Sequence, residues 1–462
     1  YLVVLGCFGG ASILDSFLPV DHAEAYTDPD RGTVIAYPTT QPAGSNIRCV
    51  DRPITRGFLE RHAQHSVVMA TQSSSVNHFV AQARAVNGRD AFAGRTMAEA
   101  VAAAYGADMP LPNVSMGRGG FADPGRDATL DPRFRAEVVA RPVVFPLSTS
   151  GHAGVTETGP RPFQDPALRQ DLVGLARATR DQGLERVSPF AQTFSTAPRR
   201  RDLMWARANT EPRLEQADLI RRLFFVEDLG DILPLTQYGL GSSVEASRVV
   251  DALPGSFPQD TSGNPDDRLQ AQAALAYLLL RTGASTAVTL TEPGTDGFLA
   301  FDQSHQSHRN AQQVHWDRVL DVADRLIGLL QTAPHEGPDG PDGTSMWDRT
   351  MIVFATEFGR DKWDAGVSFG TGHHLNNGLL VVSPLLRGNQ SLGHADITNG
   401  FTTGWDPITG ASTPYVGLDP GQDPLFTDPN LPPSEEAVFG TLLSALGVQY
   451  EGQQTLPVLL PT

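Results

Sequence analysis

Cysteine is nearly absent from this 462-residue sequence, with only Cys7 and Cys49. Two thiols cannot make a disulfide scaffold, so the fold must rest on a hydrophobic core. A single Cys7–Cys49 bridge and two unpaired thiols are both open. Positive charge is also scarce: 35 Lys and Arg face 52 Asp and Glu, a formal charge of −17. A surface of that sign repels nucleic acid and anionic membrane, so neither is an expected partner. No apolar run approaches the roughly 20 residues of a membrane span. Internal repeats, low-complexity tracts and a signal peptide are missing too. The chain opens directly on the strand-like YLVVLGCFGG, which predicts an N-terminal segment removed or lying outside this sequence. Few cysteines, little lysine and abundant Pro and Gly fit an exported bacterial protein.

Apolar residues make up 40%, enough for one large α/β domain with insertions or for two ordinary domains. Strand and helix patterns alternate, which predicts a mostly parallel sheet. Continuous apolar runs predict strands at Leu2–Phe8, His65–Thr71, Arg349–Ala355 and Gly378–Leu386. Ser285–Glu292 reads as another strand. Helices are predicted at Asp266–Gly283, at His315–Gln331 and from Ser434 to Gly447. The Ser-rich QSSSVNHF predicts a helix N-terminus around residues 72–79. The stretch at about 107–260 reads as a helical and loop insertion beside the sheet, with RPVVFPL (141–147) as a short strand and 166–230 as helical. Residues 388–433 read as turns.

Carboxylates and imidazoles recur just past the predicted strand ends, where open α/β sheets bind ligands. AFDQSHQSH supplies Asp302, His305 and His308; TEFGR supplies Glu357; GTGHH supplies His373 and His374. Three or four such N and O donors suit a divalent metal, Zn²⁺ first, with Mn²⁺ or Ca²⁺ as alternatives. Each taken alone also reads as an ordinary surface or helix-start residue. In QSSSVNHF, Ser74 is a candidate nucleophile at a helix N-terminus and His78 lies nearby; an ordinary Ser-rich cap is the plainer reading. After the first strand, GGASILDSF puts Ser12 and Asp15 at the same edge, with Gly9 and Gly10 allowing close approach of a ligand.

Taken together, the segments resemble a bacterial, often twin-arginine-exported family of sulfatase-like proteins in the alkaline phosphatase superfamily, the domain of unknown function numbered fifteen-oh-one. The resemblance spans nearly the whole chain. Its most specific part is WDRTMIVFATEFGR followed by GTGHHLNNGLLVVSPLLRGNQSLG. It implies a single alkaline-phosphatase-like domain, a three-layer sandwich with helices on both faces of a central sheet. It implies metal-assisted hydrolysis of a small anionic phosphate or sulfate ester, or of a sulfated or phosphorylated glycan. Periplasmic or extracellular location follows, and an oligomer is open. Carried over by position, Asp302, His305 and His373 form one metal site, Glu357 supplies a second-site carboxylate, Ser74 is the nucleophile and Arg360 pairs with substrate oxygen. The chain departs from the pattern at Gly6–Gly10, which lacks a carboxylate, at Gly372, and at Phe358, where a histidine is usual. One metal site, or none, is therefore expected. The alternative is a non-catalytic structural or binding member of the same fold.

Overall fold

In the computed structural model the described residues are 1–30, 32–139, 244–256, 267–292, 300–337, 340–364, 370–397, 401–413 and 433–461, with 175, 178 and 179 as isolated positions. Among them, eight strands form the main sheet: β1 (Leu2–Cys7), β2 (Ser66–Gln72), β3 (Asn113–Ser115), β4 (Glu137–Val138), β5 (Ala287–Thr291), β6 (Met351–Thr356), β7 (Asn376–Val382) and β8 (Gln390–Leu392). Their order across the sheet is β8-β2-β7-β6-β1-β5-β3-β4. β1 runs parallel to both neighbours, with Leu5 beside Phe354 and Leu290. All six residues of β1 are buried, as a strand covered on both faces requires. Only β7 is reversed, antiparallel to β6 and to β2.

The helices are α1 (Pro53–His62), α2 (His78–Asn87), α3 (Met97–Tyr105), α4 (Val244–Ala252), α5 (Arg268–Arg281), α6 (His308–Thr332) and α7 (Glu435–Ala445). α6 packs against α1, α4 and α5, while α2, α3 and α7 pack together. The α5 start is capped by Asp267, whose carboxylate accepts from the Leu269 and Gln270 amides. Gly283 follows its end at a positive φ of 66°, a conformation glycine adopts without strain. Trp316 of α6 and Phe58 of α1 both reach Phe354 of β6, with ring centroids 6.5 and 6.3 Å away.

Several expectations change. α6 begins at His308, seven residues before the predicted start, because Gln312 and His315 are buried polar residues that hide the apolar pattern. Residues 113–115 and 137–138, inside the span read as an insertion, are strands of the main sheet. Residues 390–392, read as turns, form its far edge. RPVVFPL and nearly all of 166–230 lie outside the described residues. Cys7 and Cys49 are both buried and unbridged.

Phe354 joins the sheet to two helices, so Phe354→Ala is expected to cost about 3–5 kcal/mol. Val314→Ala, on the exposed face of α6, is expected to stay within about 0.5 kcal/mol of the parent. Urea unfolding followed by circular dichroism checks both.

Candidate metal centre

The parallel strands deliver their carboxyl ends to one edge of the sheet. Gly9 follows β1, Ser73 follows β2 and Glu357 follows β6. Because β7 is reversed, the residues just before it, His373 and His374, arrive at the same edge. A short pairing sets their register: Gly359 opposes His374 and Arg360 opposes His373. Asp302 stands on a 3-10 turn, Ala300–His305, anchored where the Phe301 amide donates to the Phe8 carbonyl at 2.9 Å.

Glu357 is fully buried. One carboxylate oxygen accepts from the Gly9 amide. The other accepts from His78 Nδ1 at 2.9 Å and Gln82 Nε2 at 2.8 Å. His78 Nδ1 is engaged by Glu357, and its Nε2 faces Asp302 Oδ1, 3.7 Å away. His373 repeats this device with a different partner. Its Nδ1 donates to the Val76 carbonyl at 3.1 Å, and its Nε2 lies 3.4 Å from Asp302 Oδ1. One ligand atom each from His78, Asp302 and His373 lies within 4.8 Å of the others. Two imidazoles and one carboxylate so placed could hold a divalent metal with three ligands and an open position, the kind of donor set Zn²⁺ takes. Ca²⁺, which takes six to eight oxygens, fits poorly.

Arg360 lies behind Asp302. Its Nη2 donates to Asp302 Oδ1 at 2.7 Å and to the Gly9 carbonyl; Nη1 donates to the Thr371 carbonyl at 3.0 Å. Burial opposes the Asp302 charge, but hydrogen bonds from His373 and Arg360 and the nearby positive charge hold its carboxyl well below the usual range. Burial, with Glu357 and Asp302 opposing it more strongly, leaves His78 above its ordinary value. His305 Nε2 lies 2.8 Å from His373 Nε2 and 3.3 Å from Asp302, nearer to Asp302 than His78 is. Burial and Arg360 lower the His305 pKa.

The positional assignment therefore shifts. Asp302, His305 and His373 lie together as the resemblance implied, His78 joins them, and Glu357 acts by holding His78. Ser74 is not at the helix N-terminus: α2 is capped by Asn77, three residues later. The Ser74 hydroxyl donates to Glu435 Oε2 at 2.5 Å and receives Arg84 at 3.0 Å. His374 turns away and stacks on Phe401, centroids 4.2 Å apart. Phe358 is buried and stacks on His373 at 4.1 Å. Gly10 lets its backbone approach that ring rather than a ligand. It has a φ of +80°, and a Cβ there would lie 2.7 Å from Phe358 Cε2.

Ser12, Asp15 and His308 form a second cluster, deeper in the fold. Asp15 accepts from Tyr37, from His308 Nε2 at 2.8 Å and from Lys362, which also donates to Ser12. All five side chains are buried. Burial would raise the Asp15 pKa, but His308 and Lys362 hold it well below the usual carboxylate value. Sequence reasoning missed Lys362 and Gln82. Gln82 lies one helical turn from His78, which is a usable signal; Lys362 follows the EFGR motif with nothing to single it out.

No family model and no curated protein matches this chain.

Because the folded-state pKa of Asp15 is depressed, its ionisation stabilises the fold above the unfolded carboxyl value of about 3.9. That stabilisation is lost as pH falls through the folded value. Asp15→Asn removes it and strands a buried ammonium, an expected cost of about 3–5 kcal/mol at neutral pH. The variant should lose less additional stability than the parent between about pH 4 and pH 2, as measured by urea unfolding at each pH.

Proposed function

We propose that the chain is a single-metal hydrolase of small anionic esters, phosphate or sulfate, including those on glycans. The proposal extends to an alkaline-phosphatase-like three-layer fold, membership of the sulfatase-like family and an exported, periplasmic or extracellular location. The observation that carries it is the convergence of His78, Asp302 and His373 within 4.8 Å, with both imidazoles held from behind through Nδ1. The mixed sheet, mostly parallel and with its site at the carboxyl edge, supports the fold reading, as does the division of the helices into two packed groups.

The charges at the site support an anionic substrate. With the histidines neutral, Asp302 and Glu357 against Arg360 leave one net negative charge. A divalent cation reverses that to one net positive charge, which then attracts an anion to these partly buried side chains. When bound, Zn²⁺ supplies a Lewis acid and an activated water. The chain's own residues do the positioning. Glu357 and the Val76 carbonyl aim the two imidazoles. Arg360, whose side chain is fully buried, orients Asp302 from behind rather than meeting substrate itself. Ser74, committed to Glu435 and Arg84, is not needed as nucleophile in this reading. The one-metal form also fits Phe358, whose ring fills the place of a second-site histidine.

Calorimetric titration with Zn²⁺, alongside turnover of aryl phosphates and aryl sulfates, tests the reading. Asp302→Ala is expected to weaken Zn²⁺ by more than about 100-fold, beyond the range for an outer partner, and to abolish turnover. Ser74→Ala is expected to retain turnover within about tenfold of the parent, well short of the loss of a nucleophile. A chain that takes up no Zn²⁺ and turns over neither ester after loading would instead be a non-catalytic member of the fold, its Asp302 permanently neutralised by Arg360.

A further inference from the structure

His373 is aimed at Asp302 from a short loop, and the structure suggests what keeps that loop still. On the chain-terminal side the register with Gly359 and Arg360 fixes His373 and His374. On the other side stand Gly370, Thr371 and Gly372. Gly372 has open space where a side chain would be. It contributes one backbone contact, the Asp361 amide donating to its carbonyl at 3.1 Å. The firm hold is at Thr371. Its amide donates to the Ser304 carbonyl at 2.8 Å, and its carbonyl accepts from Arg360. Its hydroxyl lies 2.6 Å from His308 Nδ1.

The direction of that last bond follows from its surroundings. His308 Nε2 faces the Asp15 carboxylate at 2.8 Å, an acceptor only, so Nε2 carries the proton. Nδ1 is then an acceptor and the Thr371 hydroxyl donates to it. Asp15 is in turn fixed by Lys362 and Tyr37. The groups facing His308 in this chain are thus Asp15, Lys362, Thr371 and, through the Thr371 carbonyl, Arg360. His308, Thr371 and Asp15 are each at least 98% buried, so none can meet a substrate.

We propose that Asp15, His308 and Thr371 form a positioning chain that holds the His373 imidazole in metal-binding geometry. The inference rests on the metal-centre reading above. It assigns a role to three buried polar residues that the centre itself does not use, and it accounts for a hydroxyl-bearing residue at 371 between two glycines. The order of action is fixed by the bonds: the ion pair sets the His308 ring, the ring sets the Thr371 side chain, and the Thr371 backbone sets the start of the turn into His373.

The test compares Thr371→Val, which keeps the shape and deletes the hydroxyl, with Thr371→Ser, which keeps the hydroxyl. Thr371→Ala serves as a second hydroxyl-free variant should valine disturb folding. Asp15→Asn is not decisive, because an orphaned Lys362 can unfold the chain. The full chain is titrated with Zn²⁺ by calorimetry, and with Co²⁺ by visible absorption, which reports ligand geometry; near-UV circular dichroism confirms the fold. Thr371→Val is expected to weaken Zn²⁺ about 10- to 100-fold and to alter the Co²⁺ band, with Thr371→Ser within about twofold of the parent. Folded hydroxyl-free variants that bind Zn²⁺ like the parent, with an unchanged Co²⁺ spectrum, would overturn the positioning chain while leaving the metal centre standing. A parent protein that binds neither ion would remove the metal centre, and the positioning chain with it.

Discussion

The Glu357 carboxylate, buried at the end of β6, is the interaction on which the site depends. It accepts from the backbone of the first turn at Gly9, from His78 at the start of α2, and from Gln82 one turn further along. Three segments far apart in the chain therefore meet on one side chain. A carboxylate taken out of water is costly unless its lone pairs are satisfied, and here both oxygens are. The same bonds that satisfy Glu357 decide which nitrogen of His78 faces Asp302. Stability of the sheet edge and chemical readiness of the histidine are thus one arrangement.

Reversal of β7 is the second constraint. In an all-parallel sheet, the residues preceding a strand lie at the opposite edge from those following its neighbours. By running antiparallel, β7 brings His373 to the edge where Glu357, Gly9 and Ser73 already stand. Arg360 then faces His373 across a two-residue pairing. It lies between the two charged clusters, donating to Asp302 on one side and to the Thr371 carbonyl on the other.

Much of the sheet is legible in the sequence, because a central parallel strand advertises itself as an unbroken apolar run. β1, β2, β6 and β7 carry that signal, β5 shows Val288 and Leu290 alternating with threonines, and Asp267 and Ser434 mark the starts of α5 and α7. The short strands β3, β4 and β8, at or next to the sheet's edges, carry none; two or three residues among turns become a strand only when a neighbour offers its backbone. The candidate site is partly legible. Carboxylates and histidines after strand ends point to Asp302 and His373 directly. The arrival of His78 in front of Glu357 is not, since it depends on which side chain is held from behind and which faces forward. Ser74 shows the limit most clearly. A serine-rich stretch predicts a helix start, yet Asn77 takes the cap, and Ser74 is drawn to Glu435, 361 residues away in sequence.

The pairing of β1 carries a kinetic consequence. Residues 2–7 lie between strands at residues 287–291 and 351–356, so the central strand of the sheet cannot close its ladder until about three-quarters of the chain exists. Ribosomal synthesis adds roughly 5–20 residues per second, which leaves this apolar segment unpaired for on the order of 15 seconds or more. Non-local closure of that kind is slow in itself. During the wait, LVVLGC is an exposed strand with two free edges, the form that nucleates association between chains. Efficient production of the folded protein therefore depends on something shielding its first strand until the last third of the sheet arrives.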